Sequence, residues 1–182
     1  MEFDNFLMLQ ENLELIMTTT KELLLLRHGK SDWNTDTTDF YRPLNKRGKR
    51  NAQQMGEWLD EQKLTPDLII SSPAKRALTT AEIVCVAMGL SVDSIQTEKP
   101  IYEASLSDLR QVLSQIPDSA QRLLLVGHNP GFEYLLSYLA PTIPIPDDGK
   151  LMPTATLAFL QLNSQWSSLQ DNYILQRPKD LP

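Results

Sequence analysis

Residues 23–26 are four consecutive leucines, and the run stops at Arg27-His28-Gly29. A run without polar alternate positions has no face to give to water, so it fits a central strand of a parallel sheet covered on both sides. A cation, a titratable imidazole and a residue free to take positive φ arrive together where that strand ends. In an open α/β sheet this carboxyl edge is where ligands bind. The pattern recurs at residues 123–126, closed by Gly127-His128. The chain has two histidines, and each follows such a run or its closing glycine. The simplest arrangement makes the two strands neighbours, with both imidazoles facing one pocket.

The intervening segments read as alternating helix and strand. Residues 31–40 are polar and loop-like. Arg42-Pro43-Leu44 then leads into a helix with Ala52, Met55, Leu59 and Gln62 on its inner face and Trp58 nearby. Residues 67–71 read as a second buried strand. Ser72 as N-cap and Pro73 as first helical residue start the next helix. Its apolar stripe of Ala77, Leu78, Ala81, Val84, Cys85 and Met88 makes Cys85 core rather than nucleophile. Residues 92–100 are irregular, with room for a short edge strand. Ser105 and Asp108 form the capping pair of a helix carrying Leu106, Leu109, Leu113 and Ile116 on one side. Asn129 caps and Pro130 opens a last helix, with Phe132, Leu135, Leu136 and Leu139 inward. Residues 140–153 hold four prolines and form an extended loop. Residues 156–162 and 173–176 read as a terminal β pair.

The expected fold is α/β: three layers, α/β/α, around a mostly parallel central sheet. Residues 21–182 are read as one domain, long enough for a substantial core. Residues 1–20 are set apart as an N-terminal extension, either a short helix with Phe3, Phe6, Leu7, Leu13, Ile16 and Met17 on one face or disordered chain.

A net charge of −6, from 17 Lys and Arg against 23 Asp and Glu, argues against nucleic-acid binding, which needs a basic face. The single cysteine excludes an intramolecular disulfide and fits a reducing cytoplasm. One cysteine and two separated histidines leave no zinc-ligand spacing; no metal or other cofactor is expected. No apolar run is long enough to span a membrane. Glu2 and Asp4 replace the basic start of a signal peptide.

Three strand ends then carry the chemistry: Arg27 and His28, Arg76, and His128. Arg76 falls in the first turn of its helix, where the macrodipole makes a cation unfavourable by roughly 0.3–1 kcal/mol. An anion shared with Arg27 would offset this, and the helix after Pro130 aims N–H groups at the same edge. Taken singly, each histidine reads as a packing residue and each arginine as a solvated charge. The basic run Arg42, Lys46, Arg47, Lys49 and Arg50 reads as a solvated helix start. Both histidines and two arginines at equivalent strand ends favour a bound phosphate or similar dianion.

Arg27-His28-Gly29, Ser72-Pro73-Ala74-Lys75-Arg76-Ala77 and Gly127-His128-Asn129-Pro130 together resemble the ordered motifs of the histidine phosphatase superfamily, over about residues 22–162. Arg42-Pro43-Leu44, Tyr102-Glu103-Ala104-Ser105 and Met152-Pro153-Thr154-Ala155 resemble its SixA-type phosphohistidine phosphatases. Phosphoglycerate mutases share the opening, but they carry an insertion between the positions matching Glu103 and His128. Only 24 residues lie between those two here, which predicts an open pocket.

The resemblance implies a phosphoglycerate mutase-like fold and a metal-independent phosphatase. His28 is the implied nucleophile, forming a covalent phosphohistidine. Arg27, Arg76 and His128 are the implied phosphate ligands, and Arg42 is a further contact. Asn34 matches a phosphate-contacting position of the mutases. Glu103 matches the acid that protonates a leaving oxygen, or else it is a solvated residue ahead of a helix. The implied partner is a phosphorylated protein, such as a phosphocarrier or a histidine-kinase relay domain. A broad phosphomonoester phosphatase and a non-catalytic phosphate-binding module are the alternatives.

Overall fold

The computed structural model describes residues 20–162, 166 and 173–181. Ten regular elements follow in chain order: β1 (Lys21–Arg27), α1 (Lys46–Glu61), β2 (Leu68–Ser71), α2 (Lys75–Ala87), β3 (Ile95–Thr97), α3 (Leu106–Ser114), β4 (Arg122–Gly127), α4 (Gly131–Leu139), β5 (Leu157–Leu162) and β6 (Tyr173–Gln176). The strands form one sheet in the order β3-β2-β4-β1-β5-β6. β3, β2, β4 and β1 run parallel, β5 runs antiparallel to β1, and β6 antiparallel to β5.

The leucine run explains the layering. Side chains alternate across a strand, so Leu23 and Leu25 enter one core while Leu24 and Leu26 enter the other. β4 divides likewise, Leu123 and Leu125 against Leu124 and Val126. The first core is closed by α3 and α4 through Leu109, Leu113, Phe132 and Leu136. The second is closed by α1 and α2 through Met55, Leu59, Ala81 and Val84. All four leucines of β1 are fully buried. Covering both faces is what permits a strand with no polar side. Each such side chain contributes on the order of 1.5–3 kcal/mol of burial.

β1 and β4 are neighbours, with Arg27 opposite Gly127, so His28 and His128 leave the sheet side by side. Residues 92–100 do contain an edge strand, β3, and the 156–162 and 173–176 segments do pair. Cys85 is buried in α2, its thiol pushed up to about 11 by burial and by Glu82.

Several local expectations are corrected. Gly29 does not take positive φ. A Cβ there would lie 2.6 Å from the Gly48 carbonyl oxygen, so the glycine permits the close approach of α1. Gln62 is exposed at the end of α1 rather than on its inner face. α2 begins at Lys75 after Ala74, not at Pro73, and Ser72 is not its N-cap. α4 begins at Gly131 after Pro130, and Asn129 turns instead toward Met152, donating from Nδ2 to its carbonyl at 3.0 Å. Of the N–H groups expected to face this edge from the start of α4, that of Phe132 is bonded to the His128 carbonyl at 3.0 Å. The proposed extension, apart from Thr20, lies outside the described residues.

Candidate active site

β1, β2 and β4 end together, and the loops beyond them deliver the polar groups. His28 follows β1, Ser72 and Arg76 follow β2, and His128 follows β4. The two imidazole centroids are 5.0 Å apart. His28 and His128 are 7% and 6% exposed, and Arg76 is 6% exposed. Such burial makes ionisation of a histidine costly, so its protonation state is set by what surrounds it.

His28 Nδ1 lies 2.7 Å from the Gly29 carbonyl oxygen. A carbonyl only accepts, so Nδ1 holds the proton and Nε2 keeps its lone pair. Arg76 Nε donates to that Nε2 at 3.3 Å. Burial is the main force pushing the His28 pKa down to about 3. The Gly29 contact opposes it, and the cationic Arg76, Arg27 and Arg42 reinforce it. The ring is therefore neutral at neutral pH.

His128 is pushed down to about 2, first by burial, then by His28 and Arg76, with Asp39 opposing and Arg27 adding. Its Nε2 is 2.8 Å from Ser72 Oγ, while Nδ1 is buried without a hydrogen-bond partner. Arg27 donates from Nη1 to the Met152 carbonyl at 2.7 Å. Burial lowers the Arg27 pKa, Glu133 opposes this, and Arg76 adds repulsion. Arg27 Nε and both Nε and Nη1 of Arg42 are also buried without partners. Buried donors are nearly always satisfied. Three unsatisfied guanidinium donors, with the unpartnered His128 Nδ1 beside them, are suited to an anion with several oxygens.

One carboxylate already uses part of this donor set. Asp39, in a single 3-10 turn (Asp39–Tyr41), accepts from Arg76 Nη2 at 2.9 Å, from Tyr102 OH at 2.9 Å and from Arg42. Its carbonyl accepts from Arg76 Nη1 at 2.7 Å. Partial burial works against its charge, but Tyr102, Arg76 and Arg42 outweigh that and hold the carboxyl below the usual range. The arginines thus accept an oxyanion in practice, and the dipole penalty foreseen for Arg76 is met by Asp39.

A cavity of about 520 Å³ opens over Arg76 and His128, bordered by Asp39, Glu103, Ser105 and Tyr134. Glu103 is exposed at this rim and has a φ of 55°. Ala155, whose N–H donates to the His28 carbonyl at 3.0 Å, has a φ of 61°. Left-handed non-glycine residues are strained and cluster at functional sites. Between Glu103 and His128 the chain is taken up by α3 and β4, leaving no segment to roof the cavity. Arg42 reaches the site through Asp39 and stacks on Trp33 at 3.5 Å. Asn34 does not join this group: it is exposed, and its backbone N–H donates to Asp32 Oδ1 at 3.0 Å.

Sequence reasoning did not single out Asp39, Tyr102 or Met152 as site groups, and it took Ser72 as a cap within a quoted motif, with no role at the site. Asp39 lies in the polar loop without a motif of its own. Tyr102 and Met152 lay inside quoted motifs, which was their one signal.

A mostly parallel sheet with two histidines meeting at adjacent strand ends has the phosphoglycerate mutase-like architecture. Residues 23–121 match the model of the histidine phosphatase superfamily (branch 1), and the protein belongs to that superfamily. His128 lies just beyond the matched residues. The chain is 32% identical over 136 residues to a 2,3-bisphosphoglycerate-dependent phosphoglycerate mutase of Arthrobacter sp. (strain FB24), covering 72% of this chain and 52% of that one. It spans about half the length of the curated relatives it first matches. Among solved structures it is similar to SixA of Agrobacterium tumefaciens, with TM-score 0.68 and 28% identity over 85% of this chain and 94% of that one. The fold is also that of the protein histidine phosphatase SixA complexed with tungstate, at TM-score 0.70 and 23% identity, covering 88% of this chain and 99% of that one.

Proposed function

We propose that the protein is a metal-independent phosphatase that removes phosphate from phosphohistidine on a protein, through a covalent phosphohistidine on His28. The observation that carries this reading is the tautomer of His28. Nδ1 is tied to the Gly29 carbonyl, and the lone pair on Nε2 meets Arg76. A nitrogen in that state needs no base to attack.

Nε2 attacks phosphorus, and the bond from phosphorus to the substrate nitrogen breaks. The departing imidazole is neutral if it arrives protonated on that ring, or takes a proton from water. Arg27, Arg76 and Arg42 bind the equatorial oxygens, whose charge must be neutralised. With the buried Ser72 hydroxyl as the donor to His128 Nε2, the His128 proton sits on Nδ1, ready for a phosphoryl oxygen. Water then attacks phosphorus, the bond to Nε2 breaks, and inorganic phosphate leaves as His28 is restored. With α3 and β4 taking up the chain between Glu103 and His128, no insertion there covers the cavity, which favours a protein-borne phosphoryl group over a small one.

Glu103 at the cavity rim favours a second reading, a broad phosphomonoester phosphatase in which it protonates the leaving oxygen. Assay in EDTA of a phosphohistidine-labelled phosphocarrier beside p-nitrophenyl phosphate and sugar phosphates separates the two. The proposal expects the phosphoprotein to be strongly preferred. Preference for the phosphomonoesters would replace it with the second reading.

A further inference from the structure

Apart from Arg42, the basic run leading into α1 is not used by the site above. Arg47 and Arg50 instead border a second cavity of about 450 Å³, with Lys150, Arg177, Lys179 and Asp148 on its other sides. Arg177, 6% exposed, is held by Asp148 at 3.0 Å and by the Lys150 carbonyl, so that carboxylate is already committed. Among the described residues, Arg47, Arg50 and Lys150 form no ion pair with a carboxylate, and Lys179 acts only on the Asp148 that Arg177 already holds. Arg47, Arg50, Lys150, Arg177 and Lys179 therefore face one cavity with Asp148 as the carboxylate in its lining, on a chain whose net charge is −6. Like charges so gathered repel one another and focus a positive potential outward.

The cavity's place in the sheet says what it serves. β6 is antiparallel to β5, which is antiparallel to β1, so β6 ends at the same edge as β1. Leu26 pairs with Leu157, and Leu157 pairs with Gln176. Arg177 thus follows its strand about 10 Å, two strand spacings, from the strand that carries His28. Pro153 and Thr154 line the basic cavity, while the flanking Met152 and Ala155 hold Arg27 and His28. Both cavities border loops at this carboxyl edge, the first on the side of α3 and α4 and the basic one on the side of α1, with residues 152–155 running between them.

We infer that this basic cavity docks acidic side chains beside the phosphorylated residue of the protein substrate. The inference rests on the phosphohistidine reading and gives it a partner of stated chemistry, an acidic patch next to the phosphoryl group. Exposed arginines and lysines suit this role because they steer an oppositely charged surface and fix its register. A net-negative enzyme would otherwise repel such a partner.

The test compares wild-type protein with the double variant Arg47→Gln, Arg50→Gln, two exposed helix positions. The ratio of kcat/KM on an acidic phosphohistidine protein to kcat/KM on phosphoramidate should fall on the order of tenfold, through KM. The salt dependence of the phosphoprotein rate should flatten. An unchanged ratio overturns the inference. A second arm needs no turnover: a deca-glutamate peptide titrated at low salt should bind wild type and lose that binding in the variant. Wild type that binds the peptide yet hydrolyses no phosphohistidine protein would refute the phosphohistidine reading and leave the acidic dock standing. Equal peptide binding by both proteins, or tighter binding of pyrophosphate than of peptide, overturns the dock.

Discussion

Arg76 Nε points at His28 Nε2 from 3.3 Å, so a cation sits on the nitrogen that would attack phosphorus. The contact is possible only because that nitrogen bears a lone pair, and in the proposed reaction phosphorus would meet Nε2 while one of its oxygens meets Arg76. Arg76 is also the residue whose other nitrogens are held by Asp39.

Arg76→Ala is expected to lower turnover by about 10³-fold or more, as for arginines that stabilise phosphoryl-transfer transition states. Asp39→Asn should act in the opposite direction on binding. It removes a negative charge that competes for Arg76 and Arg42, so vanadate inhibition should tighten. Weaker inhibition in Asp39→Asn would make the carboxylate a strut that holds the arginines in place.

The pH dependence follows from the two buried imidazoles. A free histidine titrates near 6.5, while His28 is pushed down to about 3 and His128 to about 2. Below about pH 6.5 the unfolded chain binds protons that the folded chain refuses. Stability should be level above about pH 7.5 and fall as the pH drops from about 6.5 toward 3, by as much as ~1.4 kcal/mol per pH unit for each histidine. Chemical denaturation across that range checks it. The acid limb of kcat/KM should likewise lie below about pH 5, and a limb near 6.5 would show that His28 titrates as an ordinary imidazole.

Glu103 separates the two functional readings. An alkoxide leaves poorly without a proton, and a positioned acid contributes roughly 10²–10⁴-fold. A phosphohistidine expels a much less basic nitrogen. Glu103→Gln should scarcely slow phosphohistidine hydrolysis and should depress any alkyl phosphate hydrolysis far more. Equal losses on both substrates would make Glu103 a residue that positions phosphate or water.

Ser72→Ala tests the hold on His128. The serine is fully buried, and its Oγ also accepts from the Ala74 N–H at 3.3 Å. The variant should lose roughly ten- to a hundredfold in rate, as for other outer partners that orient a functional imidazole. A fall in melting temperature without a rate loss would assign Ser72 to the turn alone.

What the sequence revealed and what it hid have physical reasons. Residues 23–26 and 123–126 announce central strands because unbroken apolar runs need two covered faces, and their ends place His28 and His128. Asp39 was hidden because its partners, Arg76 and Tyr102, lie 37 and 63 residues away. Ser72 was misread because a serine before proline has a good local explanation, whereas its partner His128 is 56 residues distant. Gly29 was assigned the right residue type for the wrong cause: the constraint is the Gly48 backbone packed against it, not its φ. Local rules find helix starts to within a residue or two, and here that margin moved both caps.

The central claim is that His28 becomes phosphorylated. Wild-type protein mixed with a ³²P-phosphohistidine substrate and quenched within milliseconds should carry label that is acid-labile and base-stable, and peptide mapping should place it on His28. His28→Ala should form no phosphoenzyme and show no turnover while retaining part of its vanadate binding through the arginines. Label on His128, or substantial turnover by His28→Ala, would contradict the account.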